Sequence, residues 1–218
     1  MNDGIASRPD SRLEVVGDPF ASSGLFRVAK NASADKSAAL PARTLELGCG
    51  FTKTPGAYGV DILAESQADL IHDLDVFPYP LQDNSWDRII CHDVLEHVEN
   101  FIRTMEEIWR VGAPGATIEI HAPFMSSVNY FSDPTHRRAF TSRSFDYFSE
   151  GTAAARLGYS RARFELLHCE YDAEDRARRR GFHRWILGWA NRNKTLYENR
   201  YAFVYPVYNI SYSLRIIK

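Results

Sequence analysis

Two glycines and an aspartate in the first third of the sequence have residue types and spacing that suit a ribose-containing ligand. Gly48 and Gly50 follow the short β-favouring run that includes Glu46, and Asp61 ends the next such run. Glycines at the end of a strand let a ligand approach the backbone, because no Cβ stands in the way. A carboxylate at the tip of the neighbouring strand can accept both ribose hydroxyls. The pattern predicts a nucleotide site; the alternative is that Asp61 and Asp73 only cap strands as turn residues.

Alternating strands and crossovers must position these residues. Apolar residues at three- and four-residue steps predict a helix from about Val94 to Arg110, which Gly112 would end. The crossovers 48–57 and 62–68 are short for parallel connections and predict turns in place of full helices. This alternation favours a parallel α/β sheet. The predicted strands are Arg43–Leu47, Tyr58–Asp61, Asp69–His72, Arg88–Cys91, Ala116–Ile120, Arg163–Tyr171 and Asn209–Ile217.

The rest of the sequence suggests one domain with additions. Residues 1–40 are rich in Ser, Ala, Asp and Gly, lack a sustained period, and are predicted to form a loosely ordered leader. Residues 41–218 are predicted to form a single domain. Within it, a long aromatic and polar segment, 124–140, follows the fifth strand. A basic and aromatic helical insertion is expected over 175–200.

Composition and charge exclude several classes of protein. The 218 residues include 26 Lys and Arg against 28 Asp and Glu, a net charge of −2, so no basic excess favours nucleic acid as a partner. The 3 cysteines lack metal-ligand spacing and indicate a reducing compartment. Neither a signal peptide nor an apolar run of about 18 residues is present, which predicts a cytoplasmic protein without a transmembrane segment.

Taken together, the motifs resemble those of class I S-adenosylmethionine-dependent methyltransferases, in particular the small type 11 members with a Leu-Glu-His box. The resemblance implies an α/β, Rossmann-like fold with a seven-stranded, mostly parallel sheet in the order 3-2-1-4-5-7-6 and helices on both faces. The cofactor would be S-adenosylmethionine, with S-adenosylhomocysteine as product. One departure is Thr52, which stands where the family has a third glycine. The motifs are Glu46–Gly50, Gly59–Asp61, His72–Leu74, Asp83–Asp87 and His92–His97.

The resemblance also implies a set of cofactor-binding residues. Asp61 would bind the ribose diol, and Asp73 and Leu74 would contact the adenine. His92 and Asp93 would line the sulfonium end of the pocket. The full set is Glu46, Gly48, Cys49, Gly50, Asp61, Ile62, His72, Asp73, Leu74, His92 and Asp93.

Three histidines are candidates for the catalytic base. A hydroxyl acceptor must lose its proton, and histidine is the side chain suited to taking it near neutral pH. His97, His121 and His136 are all expected near the carboxyl edge of the sheet, where ligands of open α/β sheets bind. His136 is the first choice because it lies in the polar segment 124–140, the predicted acceptor loop. For each histidine the alternative is a purely structural role.

A metal site is an open alternative. Asp93, Glu96 and His97 would share one face of the predicted helix. This arrangement is similar to the divalent-metal site of ubiquinone-type O-methyltransferases and could hold Mg²⁺. The same box occurs in metal-independent relatives, where Glu96 and His97 shape the pocket, so no metal ligand is assigned.

The leading hypothesis is O-methylation of a small-molecule or saccharide acceptor, in glycan or natural-product biosynthesis. A looser likeness of residues 133–141 to members found beside such pathways favours it. The alternatives are an N- or C-methyltransferase acting on a small metabolite and a catalytically silent, cofactor-binding regulatory subunit. The segment 176–189 either packs on the domain or contacts a lipid interface through its tryptophans and arginines. The protein is expected to be a monomer or a homodimer.

Overall fold

A computed structural model describes residues 43–172 and 181–218 of the chain. The predicted leader 1–40 lies outside these residues, as do the first positions of the predicted insertion 175–200. None of the described helices is long and apolar enough to cross a membrane.

The described residues form one seven-stranded sheet with helices. Its strand order is β3-β2-β1-β4-β5-β7-β6, as predicted. The strands β1 to β5 pair in parallel, whereas β7 is antiparallel to both β5 and β6. The elements are β1 Thr44–Leu47, β2 Tyr58–Asp61, β3 Leu70–Ile71, β4 Trp86–His92, α1 Phe101–Val111, β5 Gly112–Pro123, α2 Val128–Ser132, β6 Arg163–Tyr171, α3 Gly181–Arg192, α4 Lys194–Arg200 and β7 Asn209–Ile217.

The centre of the sheet is β1, which pairs with β2 on one side and β4 on the other. All of its residues are buried, including Thr44 and Glu46. A strand buried on both faces is characteristic of a parallel sheet, and the sheet carries its ligand sites at the carboxyl ends of such strands. Glu46 therefore lies at the end of β1 that leads into the glycine turn.

The two short crossovers contain turns and no helix, as predicted for 48–57 and 62–68. Gly48 has φ +69°, and a Cβ at this position would lie 2.5 Å from Val94 Cγ2. Only glycine permits both the left-handed backbone and this close approach. The tight packing brings the end of β1 against the segment that follows β4.

The helix predicted from about Val94 begins later, so that prediction is wrong at its N-terminal end. Residues 95–97 form a turn, and α1 starts at Phe101. Leu95 and Val98 are buried as the apolar period requires, but they reach the core from a turn and a loop. Asp93, Glu96 and His97 therefore do not share a helical face.

The late start of α1 has a local cause. Both carboxylate oxygens of Asp75 accept from the Glu99 backbone N–H, at 2.8 and 2.9 Å, and one also accepts from Asn100 N–H. The side chain of Asn100 in turn accepts from Arg103 N–H at 3.2 Å. Asp75 thus holds the two residues before Phe101, and Asn100 acts as the N-cap from which the helix begins. A single-sequence pattern of apolar residues carries no signal for this contact from another loop.

The segment 124–140 is pinned at its base. Phe124 and Phe140 are both buried and form an isolated parallel bridge, and Met125 N–H donates to the Phe140 carbonyl at 3.0 Å. Between these points lies the short helix α2. The segment is thus a loop with anchored ends at the carboxyl edge of β5, where the sequence predicts an acceptor loop.

Candidate active site

Glu46 holds the glycine turn that follows β1. Its side chain is buried, and Oε2 accepts from Thr54 N–H at 2.6 Å. Because Thr54 lies at the far end of the turn, the contact spans the turn from β1 to its last residues. Through this contact Glu46, one of the implied cofactor-binding residues, holds the loop in place.

Asp61 is fixed at the tip of β2 by two backbone donors. Oδ2 accepts from Gly50 N–H at 2.8 Å, and Oδ1 accepts from Leu63 N–H at 2.9 Å. A carboxylate oxygen can accept more than one hydrogen bond, so a fixed Asp61 can also receive ribose hydroxyls. Ile62, the next residue, is exposed beside it.

The glycine turn offers space for a ligand. Gly50 has φ +51°, and a Cβ at this position would meet nothing within 4 Å. Cys49 between the glycines is buried, and its burial, with the carboxylates of Asp61 and Glu46, raises the pKa of its thiol to about 11. A thiol with such a pKa stays protonated near neutral pH and is a poor nucleophile. Cys49 therefore packs the turn and does not supply chemistry.

The residues implied for the adenine follow β3. Asp73 is half-buried, and its Oδ1 accepts from Asp75 N–H at 2.9 Å. His72 Nε2 lies 2.9 Å from the Val76 carbonyl, and Leu74 is buried. Open space beside Gly50, a fixed carboxylate at Asp61 and a second carboxylate at Asp73 together match the acceptors that the hydroxyls and amine of an adenosine group require.

His121 and Asp93 form a hydrogen-bonded pair at the ends of β5 and β4. His121 Nδ1 lies 2.9 Å from Asp93 Oδ1, and Asp93 N–H donates to the His121 carbonyl at 2.9 Å. Asp93 adopts φ +49°, a left-handed conformation that few non-glycine residues take and that is often associated with functional sites. The pairing fixes both the backbone and the side chains where β4 and β5 end.

His92 lies beside this pair, and the centroid of its ring is 6.0 Å from that of the His121 ring. His92 as a whole residue is exposed. Partial desolvation of its ring and the nearby His121 nevertheless lower the pKa of His92. A neutral ring is therefore favoured at this position near neutral pH.

Glu96, His97 and His136 form a second cluster. One ligand-capable atom from each residue lies within 4.8 Å of those of the other two, and the rings of the two histidines have centroids 4.7 Å apart. Glu96 is fully buried, and desolvation raises the pKa of its carboxyl to about 8, with Asp93 acting in the same direction. The Asp93 carboxylate itself contacts His121, so the cluster differs from the predicted set of Asp93, Glu96 and His97.

Two charged residues close to His136 in sequence, Asp133 and Arg137, have different contacts. Asp133 Oδ2 is 4.0 Å from His136 Nε2, whereas the guanidinium of Arg137 lies 3.8 Å from Glu99. His136 has a side chain that is 7% exposed and packs against the Tyr130 ring. The imidazole thus faces the protein interior.

A polar cavity was missed by the sequence analysis. It has a volume of about 680 Å³ and begins at Met125, just beyond β5. Its lining comes from three separated parts of the chain, so no local motif could have indicated it. The polar side chains that line it are Thr141, Arg143, Ser144, Asp146, Glu198 and Asn199.

Comparison with protein families decides the class. Residues 45–120 match the sequence profile of a family described as methyltransferase domain. The match runs from β1 to β5 and includes the glycine turn, Asp61, Asp73 and the His121-facing end of β4. These residues belong to a class I S-adenosylmethionine-dependent methyltransferase domain. Its cofactor is S-adenosylmethionine.

Solved structures agree with the fold of this methyltransferase. It is similar to phosphoethanolamine N-methyltransferase 2 from Haemonchus contortus in complex with S-adenosyl-L-methionine, at 15% identity and TM-score 0.50, over 81% of this chain and 48% of that one. The YcgJ protein from Bacillus subtilis gives 12% identity and TM-score 0.50, over 81% and 92% of the two chains. A methyltransferase from Archaeoglobus fulgidus gives 16% identity and TM-score 0.48, over 79% and 85%. No curated protein matches the sequence.

Proposed function

We propose that this methyltransferase transfers a methyl group to a hydroxyl oxygen of a small polar acceptor, such as a saccharide. The observation that carries the proposal is the His121–Asp93 pair at the carboxyl edge of β4 and β5. An oxygen acceptor needs a base, and a histidine oriented by a carboxylate is a suitable one.

The cofactor assignments rest on the glycine turn and its carboxylates. Asp61 would accept the ribose hydroxyls, Asp73 and Leu74 would contact the adenine, and Gly50 would leave room for the ligand. When bound, S-adenosylmethionine supplies a methyl group that its positively charged sulfonium has already activated. The protein's remaining tasks are to align the acceptor and to remove its proton.

Asp93 determines which nitrogen of His121 acts as the base. A carboxylate only accepts hydrogen bonds, so the contact with Asp93 Oδ1 assigns the ring proton to His121 Nδ1. His121 Nε2 then carries the lone pair and takes the proton from the acceptor hydroxyl. The Asp93 carboxylate stabilises the imidazolium that results, as in other carboxylate–histidine pairs.

The polar cavity beyond β5 would hold the acceptor. Its volume of about 680 Å³ lies within the range of about 300–1,000 Å³ that suits small ligands. Met125 on its wall is four residues after His121, a separation of at most about 14 Å along an extended strand. Hydroxyl, carboxylate, amide and guanidinium groups on its lining can form hydrogen bonds with a ligand that has many hydroxyls.

The test uses S-adenosylmethionine labelled with ¹³C in the methyl group and a panel of saccharide and phenolic acceptors. NMR of the product distinguishes a methyl group on oxygen from one on nitrogen or carbon. We expect an O-methyl product, with turnover of His121→Ala lower by about 10²–10⁴. His168→Ala, which changes an exposed histidine of β6, is the matched control. An N-methyl or C-methyl product would replace the proposed reaction with one of the alternatives.

A silent, cofactor-binding subunit predicts a different result. It would bind S-adenosylhomocysteine but transfer no label to any acceptor, and His121→Ala would have no measurable consequence for turnover. The sequence-based choice of His136 as base is tested in the same series by His136→Ala. Loss of turnover in His136→Ala with full activity in His121→Ala would favour His136.

One of the two roles considered for 176–189, contact with a lipid interface, has partial support in α3. Phe182 and Trp185 are 69% and 61% exposed and stack with ring centroids 5.9 Å apart. Residues 176–180 lie outside the described part. We expect the protein to co-sediment with vesicles that contain anionic lipid and Trp185→Ala to weaken this association. Equal sedimentation of both proteins would remove the interfacial role.

A further inference from the structure

The cluster of Glu96, His97 and His136 brings together side chains from two segments. Glu96 and His97 lie in the turn between β4 and α1, and His136 lies in the loop 124–140. The backbone already joins the two segments, because Arg137 N–H donates to the Glu96 carbonyl at 2.8 Å. One ligand-capable side-chain atom of each residue lies within 4.8 Å of one such atom of the other two.

The Glu96 carboxylate is buried without a hydrogen-bond donor among the described residues. It has no exposed surface, and neither of its oxygens has a hydrogen-bond partner among the described residues. The closest nitrogen of the cluster, His136 Nε2, is 3.9 Å from Oε1, which is beyond hydrogen-bond distance. A buried carboxylate normally requires a donor or a positive charge beside it.

The hydrogen bonds of the two histidines decide which ring nitrogens can serve. The Tyr130 carbonyl only accepts, so His136 Nδ1 at 3.0 Å carries a proton and donates it. Thr135 Oγ1 donates to Asp133 at 2.6 Å and therefore accepts from His97 Nδ1–H at 2.8 Å. In both neutral rings the lone pair is on Nε2.

The result is an arrangement of two imidazole lone pairs and one carboxylate without a positive partner. Histidine ligands of metals typically donate their other N–H to a carbonyl, a hydroxyl or a carboxylate, which is what Tyr130 and Thr135 provide here. Two histidines and one glutamate form a common ligand set for zinc, with open positions for water or substrate. Nitrogen-rich sets favour transition metals over Mg²⁺.

We propose that Glu96, His97 and His136 bind a divalent transition-metal ion of the zinc class, which links the loop 124–140 to the turn 95–97. Asp93 is not part of this site, since its carboxylate contacts His121. Tetrahedral ligands about 2.1 Å from zinc lie roughly 3.4 Å apart, so binding draws the ligand atoms together by up to about 1.5 Å. Both segments lie between regular elements, where such a movement is accommodated.

The experiment measures metal binding directly and does not require turnover. Full-length protein is stripped with EDTA, and Zn²⁺ alone is titrated by calorimetry while thermal unfolding is followed with and without the ion. We expect a single ion per chain and a higher Tm in its presence. Glu96→Gln, which keeps the size of the side chain, should weaken binding at least about 100-fold, and His136→Ala should do the same.

Controls separate this site from surface histidines and thiols. His168→Ala removes an exposed histidine that lies 3.3 Å from Glu170 and should bind Zn²⁺ as the wild type does. Co²⁺ serves as an optical probe, and thiolate-to-cobalt charge transfer should be absent. Absence of saturable binding, unchanged binding in a folded Glu96→Gln, or a thiolate band with Co²⁺ would each overturn the proposal. Because the experiment measures metal binding alone, its result does not depend on which acceptor is methylated or on which histidine is the base.

Discussion

The carboxyl edge of the sheet has two halves that differ in how their charged groups are satisfied. In the cofactor half, Glu46 and Asp61 each accept hydrogen bonds from backbone N–H groups of nearby turns. In the histidine half, Glu96 is fully buried without a donor among the described residues, and the centroids of the His97 and His136 rings lie 4.7 Å apart.

This difference indicates what each half needs from outside the chain. The carboxylates of the cofactor half are held in place by the protein alone, which is the preorganisation that tight and oriented binding requires. The histidine half holds a carboxylate and two imidazoles in an arrangement that a cation would complete. Variants in the two halves should therefore have separable effects.

The largest effect on turnover is expected at the His121–Asp93 pair, where β4 and β5 end. His121→Ala should reduce turnover by about 10²–10⁴ while affinity for S-adenosylhomocysteine stays within about twofold. Asp93→Asn should reduce turnover as well, because an amide can either accept from or donate to His121 Nδ1 and so no longer assigns the proton to that nitrogen. Steady-state kinetics of both variants provide the measurement. Full turnover in a folded His121→Ala would place the base elsewhere.

The next effect concerns the ribose. Asp61→Ala removes the fixed carboxylate at the tip of β2 and should weaken S-adenosylmethionine binding by about 1.5–3 kcal/mol, or roughly 10- to 150-fold. Titration calorimetry measures the change in affinity, and circular dichroism checks that the Asp61→Ala variant is still folded. Affinity equal to the wild type in a folded variant would mean that the ribose binds elsewhere.

A smaller effect is expected on stability. Asp75→Ala removes the acceptor for Glu99 and Asn100 N–H groups ahead of α1 and should lower the free energy of unfolding by about 1–2 kcal/mol. Glu65→Ala, a change at an exposed loop residue, is the control and should stay within about 0.5 kcal/mol of the wild type. Urea unfolding gives both values. Equal destabilisation by the two substitutions would contradict the capping role.

The smallest effect is a pH dependence at His92. Its pKa is lowered in the folded protein, so protonation favours the unfolded state and stability falls as pH decreases below the usual histidine pKa of about 6.5. His92→Gln should lose less stability than the wild type between about pH 8 and pH 5. Thermal unfolding in metal-free buffer across this range gives the comparison. If the stability of His92→Gln falls with pH as steeply as that of the wild type, His92 does not contribute to the pH dependence.

The same two halves explain which features could be predicted from the sequence. The glycine turn and Asp61 are close in sequence, and the strand order follows from the family resemblance that they carry. The pair His121–Asp93 joins β5 to the residue after β4, and the pair His136–Glu96 joins the loop 124–140 to the turn 95–97. The turn 95–97 precedes α1, whose late start involves the Asp75 carboxylate from another loop. A local apolar period contains no information about either.

The most direct test of the two-half account is a calorimetric titration of S-adenosylhomocysteine into three metal-free proteins: the wild type, Asp61→Ala and Glu96→Gln. The account predicts that Asp61→Ala binds about 10- to 150-fold more weakly, whereas Glu96→Gln stays within about twofold of the wild type. A folded Glu96→Gln that loses as much affinity as Asp61→Ala would contradict the separation of the cofactor half from the histidine half.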